Sequence, residues 1–239
     1  MSLKKVLVTG STQGIGKAIA AKLAEEGYRV IVHCRADLKK AQSVMTEIGA
    51  FGAVIADLSD AEQTSSLYEK TGAVDVLVLN ASVQVKQSWE ETDDDAINKQ
   101  LGVNVISTLK LIQSYYPDMK KNGWGRIITI GSVNQRRNHP ALAFYAATKC
   151  AVMSLVSNIA KFSAPYGVTV NNISPGAIIT PRNADVYNDD VQRAAVESLI
   201  PLKRFGTVRE IAETAAFLAG DSSSYITGAD IVVDGGMSL

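Results

Sequence analysis

Thr9-Gly10-Ser11-Thr12-Gln13-Gly14-Ile15-Gly16 follows a short apolar run at residues 5–8 and leads straight into a helical pattern over residues 17–26. A strand, a glycine-rich turn and a helix in immediate succession make the first half of a βαβ unit. In such a unit Gly10 permits the tight turn, Gly14 lets the backbone approach a pyrophosphate, and Gly16 allows the helix to pack close. The helix N-terminus, with unpaired N–H groups and the positive end of its dipole, attracts the anion. A plain structural turn also favours glycine. Strand, spacing and helix agree here, which predicts a dinucleotide site that includes Thr12, Gln13 and Ile15.

The same alternation continues outward. Further β-branched runs at residues 29–34, 53–56, 76–79, 126–130, 169–173 and 231–233 are separated by longer helical stretches, the pattern of a parallel sheet. Runs such as VLVL and IITI have no polar face, so helices must cover both sides. The expectation is α/β: a three-layer αβα sandwich on seven parallel strands, with residues 1–239 as one domain. No Pro- or Ser-rich linker divides the chain.

Composition narrows the function classes. Of 239 residues, 46% are hydrophobic and 20% charged, and 24 basic residues balance 24 acidic ones. With no net charge there is no global field for nucleic acid or an anionic membrane. No apolar stretch approaching a bilayer span of ~20 residues and no signal-peptide run is evident, so a cytoplasmic location is expected. Cys34 and Cys150 lie far apart without metal-site spacing and read as buried, inert thiols; no metal is expected, and two histidines leave little for a histidine-based triad.

Two stretches break the rhythm. The acidic cluster Glu90, Glu91, Asp93, Asp94, Asp95 precedes a helical pattern running to about residue 119; carboxylates there suit a helix N-terminus better than a metal. Residues 175–202 are polar and lack a strand, as expected of a loop that covers a substrate.

The end of the second strand bears on the cofactor. An acid there would bond the ribose 2′-OH of NAD, a cation the 2′-phosphate of NADP. His33-Cys34-Arg35 supplies Arg35 and no acid, which favours NADP with NAD still open, since Asp37 is near. Asp57 and Leu58 close the third strand, where Asp57 either bonds the adenine amino group or caps a helix. Asn80, Ala81 and Ser82 end the fourth strand, on the same rim as the glycine turn.

Ser132 follows the fifth strand. Tyr145 opens a helical stretch and Lys149, four residues on, shares its face. A tyrosine has a pKa of about 10, and a lysine at ~4 Å would lower it by about three units at protein-like dielectric. Tyr145 would then serve as general acid or base, with Ser132 donating to the substrate oxygen. Taken alone, a Tyr and a Lys four apart are also ordinary surface neighbours.

TGSTQGIG, Asn80-Ala81-Ser82, Gly131-Ser132-Val133, Tyr145-Ala146-Ala147-Thr148-Lys149, Pro175-Gly176 and Asp234-Gly235-Gly236 together resemble the short-chain dehydrogenase/reductase family, of the kind that includes glucose dehydrogenases and ketoacyl reductases. The resemblance spans essentially the whole chain and implies a Rossmann fold, an oxidoreductase using a nicotinamide cofactor, and a homotetramer. It implies that Tyr145 exchanges the proton, that Lys149 lowers its pKa and binds the nicotinamide ribose, and that Ser132 positions the substrate. It further implies that Asn104 supports a proton-relay water and that Pro175, Gly176, Ile178 and Thr180 meet the nicotinamide carboxamide.

The chain departs from the family pattern at Ser82, where a glycine is common, expected to crowd the rim near the adenine ribose. Gln13 replaces a basic residue frequent in NADP-type glycine loops, leaving Arg35 to carry that preference alone. Gly123 and Tyr166 stand where carrier-protein reductases tend to present arginines, which favours a free small carbonyl or alcohol. The polar run from Asn134 to His139 would suit a polyhydroxylated or anionic substrate, or is simply a solvated loop. A non-catalytic dinucleotide-binding regulator is the alternative; a dehydratase or epimerase would bring a longer chain and differently spaced glycines.

Overall fold

The computed structural model describes residues 3–239. Seven strands are all parallel: β1 (Lys5–Val8), β2 (Arg29–Cys34), β3 (Gly52–Ile55), β4 (Val76–Leu79), β5 (Gly125–Ile130), β6 (Val168–Pro175) and β7 (Asp230–Val233). They lie in the order β3-β2-β1-β4-β5-β6-β7, with Val6, Leu7 and Val8 of β1 opposite Val76, Leu77 and Val78 of β4. The winding direction reverses between β1 and β4, so a crevice opens there beyond the carboxyl ends of the strands.

Helices α1 (Gly14–Glu25), α2 (Leu38–Glu47) and α3 (Ala61–Thr71) follow the first three strands. After β4 come α4 (Asp94–Gln100), a π-helical segment Leu101–Ile106, and α5 (Ser107–Asn122); α6 (Ala143–Ser163) follows β5. Successive strand residues point to opposite faces. Val6, Val8, Val76, Val78, Ile128 and Ile130 pack beneath α1 and the last long helix, α9 (Val208–Ala219). Leu7, Leu77, Leu79 and Ile127 pack on the other face against Leu111, Tyr115, Val152 and Val156 of α5 and α6.

Several expectations need correction. α1 begins at Gly14, not residue 17, so its first turn lies inside the glycine sequence. Residues 175–202 are helical in part, with α7 (Ala184–Tyr187) and α8 (Asp190–Ser198). They also hold a short parallel bridge, Ile178 with Gly206, which ties down the base of the excursion. Residues Pro140–Tyr166 are, contrary to expectation, long and apolar enough to pass for a membrane span by composition. The fold places α6 beside the sheet, with Lys149 and Tyr145 on its buried side. Asp93 caps α4 by accepting from the Ala96 N–H at 2.8 Å, and among the described residues no cluster of His, Cys, Asp and Glu could hold a metal. Cys34 is buried but Cys150 is exposed, because its position on α6 faces away from the sheet.

Candidate active site

The glycine turn is held by its own neighbours. Gly10 and Gly14 adopt φ of +62° and +55°, a left-handed conformation that costs glycine nothing. A Cβ on Gly16 would lie 2.3 Å from Asn80 Nδ2 and 2.4 Å from the Gly10 carbonyl oxygen, so bare backbone is required. Asn80 Nδ2 donates to the carbonyls of Thr9 and Gly10 at 2.9 and 3.1 Å. Thr9 Oγ1 accepts from the N–H groups of Asn80 and Ala81 at 2.9 and 3.0 Å.

His33 is a strut of the same assembly. Its Nδ1 accepts from the Gly10 N–H at 3.0 Å and its Nε2 donates to the Ala56 carbonyl at 3.1 Å, which fixes a neutral tautomer. Burial pushes its pKa from 6.5 down to about 4. Below 6.5 the unfolded chain takes up a proton that the folded one refuses until about pH 4, so this contribution to stability is complete above 6.5 and is lost as pH falls towards 4. Between pH 7.5 and 5 the loss is about 2 kcal/mol. Urea unfolding of wild type and His33→Gln at the two pH values should show this increment in the wild type alone.

α2, α3, α4, α8 and α9 begin with a side-chain cap, whereas Gln13 at the start of α1 makes none, leaving the first N–H groups facing the cleft. Gln13 Oε1 instead accepts from Lys40 Nζ at 3.0 Å. Lys40 therefore joins Arg35 at this end of the cleft, a second cation that sequence reasoning missed because it lies in the first turn of α2. Asp37 is occupied as the cap of α2, accepting from the Lys40 N–H at 2.9 Å, and offers no competing ribose acid. Asp60 caps α3, so Asp57, which accepts from the Ser59 hydroxyl at 2.7 Å, is not the helix cap and lines the cleft with Leu58. This end fits a dinucleotide phosphate: donors, cations and close backbone, with no acid at the tip of β2.

At the chemical end Ser132, Tyr145 and Lys149 are all buried, at 9%, 4% and 4% exposure. Ser132 Oγ accepts from the Asn134 N–H at 3.2 Å. Lys149 Nζ donates to the Ile130 carbonyl at 2.7 Å, which ties α6 to the end of β5. Asn104 lies in the π-helical segment, a frequent feature of functional sites. Its Oδ1 accepts from the Val83 N–H at 2.8 Å, and its Nδ2 donates to the Val83 carbonyl at 2.9 Å and to Thr148 Oγ1 at 3.0 Å. Asn104 thus joins the chain beyond β4 to the helix of Tyr145.

The electrostatics differ from expectation. Burial pushes the Tyr145 hydroxyl up, offset in part by the charge of Arg182 and by the polar side chains of Ser132, Ser82 and Arg182 around it. Lys149, whose Nζ lies 5.6 Å from the Tyr145 ring centroid, is not among the groups that lower the hydroxyl. Burial, with the like charge of Arg182, brings Lys149 itself down to about 7. Arg182, which no motif singles out, is the cation beside the tyrosine. Ser82 bears on the chemical end, where its hydroxyl and carbonyl accept from Arg182.

One cleft of about 680 Å³ brings together every predicted site residue except Asn104, which stands behind its wall. Pro175, Gly176, Ile178 and Thr180 line it, as do Asn134 and His139. Two others of that polar run are engaged elsewhere: Arg136 pairs with Asp230 at 2.8 Å and Gln135 donates to the same carboxylate at 2.9 Å.

A family model described as enoyl-(acyl carrier protein) reductase matches residues 10–238. The chain is 37% identical over 248 residues to 3-oxoacyl-(acyl-carrier-protein) reductase FabG of Staphylococcus aureus, covering 99% of this chain and 98% of that protein. It is 37% identical over 245 residues to glucose 1-dehydrogenase of Gluconobacter oxydans, covering 99% and 92%. The crystal structure of a gluconate 5-dehydrogenase from Burkholderia cenocepacia in complex with NADP and tartrate superposes with a TM-score of 0.92 at 29% identity, covering 100% and 96% of the two chains.

Proposed function

Because this chain belongs to the short-chain dehydrogenase/reductase family of oxidoreductases, we propose that it transfers a hydride between NADP and a small carbonyl or alcohol, with Tyr145 as general acid and base. The observation that carries this reading is the convergence of Ser132, Tyr145 and Lys149 on the cleft that the glycine turn opens. A nicotinamide held beside Pro175, Gly176, Ile178 and Thr180 would supply the hydride to the carbonyl carbon, or take it in the reverse direction. Tyr145 Oη gives its proton to the substrate oxygen as charge develops there. Ser132 donates to that oxygen and fixes its position. Lys149, the nearest cation that α6 itself carries, refills the tyrosine's proton from its own ammonium, and Asn104 holds Thr148 and Val83 so that a water-borne relay can pass beside them. The alternative, a dinucleotide-binding regulator without turnover, has no observation in its favour.

Raised by burial, Tyr145 keeps its proton at neutral pH, which suits the reductive direction. Lys149, at about 7, loses its charge as pH rises. The kcat/KM for reduction is therefore expected to decline above about pH 7, read from a pH–rate profile.

NADP is favoured over NAD by Arg35 and Lys40 at the adenine end, and the gluconate 5-dehydrogenase neighbour was solved with NADP. Arg35→Ala should weaken NADPH binding about 10-fold or more and leave NADH binding nearly unchanged, since a charge-assisted phosphate contact contributes roughly 1.5–3 kcal/mol. Fluorescence titration of both cofactors checks it. The positions Gly123 and Tyr166, without arginine, support a free substrate over a carrier-bound one. Phe162 on α6 and Tyr166 just beyond it remain 62% and 38% exposed, and this apolar patch supports assembly as a homotetramer, as the family resemblance implies.

A further inference from the structure

Arg182 sits in the turn Pro181–Asn183, immediately after Thr180. The Asn183 side-chain amide donates to the Ile178 carbonyl at 2.8 Å, so the turn presents the guanidinium from a fixed backbone. Nη2 donates to the Ser82 carbonyl at 2.9 Å, and Nη1 and Nη2 each reach Ser82 Oγ at 3.3 Å. Arg182 and Tyr145 line the same cleft, and the guanidinium charge lowers the pKa of the Tyr145 hydroxyl. Arg126, Arg136, Arg193, Arg204 and Arg209 each sit against a carboxylate; among the described residues Arg182 pairs with none, and of the other unpaired arginines only Arg35, at the dinucleotide end, lines the cleft. Lys86 and Lys99 line this end of the cleft, and the one carboxylate on its described wall, Asp57, belongs to the dinucleotide end.

We propose that the substrate is an oxo acid or the corresponding hydroxy acid, its carboxylate held by Arg182 one or two carbons from the reacting carbon. This deepens the oxidoreductase reading and rests on it. Ser82 shows how the fork is used, since its carbonyl and hydroxyl oxygens present two neutral acceptors to the guanidinium. A carboxylate presents the same pair of oxygens with full charge and makes the stronger bond. Because Arg182, Tyr145 and Ser132 line one cleft, an acid bound to the fork sets a carbonyl at the α or β carbon towards the proton donor. Alkyl oxo acids and sugar acids share this head group. Leu142, Val186, Phe205 and Met237 line the remaining wall and suit an alkyl remainder.

The test compares 2-oxobutanoate, 3-oxobutanoate and a keto sugar acid, each against its methyl ester, with NADPH as reductant. The acid should exceed its ester in kcat/KM by at least about 10-fold in one pair, the scale of a charged hydrogen-bonded contact. Arg182→Met should bring that ratio to about one, and Arg182→Lys should restore part of it. Any change in Tyr145 acidity or in folding scales both arms alike and leaves the ratio unmoved. Calorimetry with oxamate and malonate on the NADPH complex provides a readout without turnover, with affinity expected to fall at least about 10-fold in Arg182→Met. Equal use of acids and esters, together with no binding of either anion, overturns the proposal and leaves hydride transfer standing. If no compound is turned over with either cofactor, the oxidoreductase mechanism fails, and the anion titration decides the Arg182 site by itself. Preference for the alkyl or the sugar acid identifies the source of the carboxylate.

Discussion

Tyr145→Phe is expected to lower kcat by roughly 10³-fold, within the range that a positioned general acid or base contributes, while NADPH binds about as tightly as to the wild type. The substitution removes one oxygen and keeps the ring that α6 packs against the cleft, so the fold has no reason to change. The hydroxyl lost is the one that Ser132, Ser82 and Arg182 all face, and no other phenol, thiol or imidazole shares that cluster to replace it. Stopped-flow absorbance of NADPH measures the rate and fluorescence titration the binding. Turnover within about 10-fold of wild type would show that the proton comes from another group, and the assignment of Tyr145 would be wrong.

Gly16→Ala should act on the opposite end of the cleft. Its new Cβ would fall 2.3 Å from Asn80 Nδ2 and 2.4 Å from the Gly10 carbonyl, the first bracing and the second forming the turn that would cradle the pyrophosphate. Either the turn or α1 must shift, and overpacking of this kind typically costs about 1–3 kcal/mol. A fall in Tm of roughly 5 °C is expected for a chain of this size, with NADPH affinity reduced by at least about 10-fold, since displaced N–H groups no longer converge on the phosphates. Calorimetric melting with and without NADPH separates the two effects. Unchanged affinity would mean that the turn does not hold the dinucleotide.

The parts of this arrangement that follow from local rules are legible in the residues alone. Strand runs apolar on both faces demand a covered parallel sheet, and the glycine spacing locates its crevice. The four-residue interval between Tyr145 and Lys149 puts both on one face, and that face is the buried one. The long-range electrostatics are not legible in this way. Distance along a helix suggests that Lys149 sets the field at Tyr145, but burial dominates both groups, and the effective cation arrives from a turn far along the chain. Arg182 carries no motif; its signal is only that it follows Thr180, itself on the rim. His33 looks in sequence like a mere absence of charge at the tip of β2, and its work as a strut depends on partners 23 residues away on either side. Arg136 and Gln135 have the polarity of pocket residues, and nothing in their own run reveals Asp230 beside them.

The π-helical segment has a bearing on how this chain can change. From Ala96 to Met119 the buried positions complete six turns in 23 residues, more than an α-helix of 3.6 residues per turn would use. Leu101–Ile106 absorbs the surplus of about one residue. Deleting a single residue there would restore a regular helix and rotate α5 by about 100° against the sheet, turning Leu111, Tyr115 and Met119 outward together. Asn104 stands in that wide turn, so the core's phase and the site's geometry are locked to the same residue count. Lineages of this protein should tolerate substitutions in the segment far more readily than insertions or deletions.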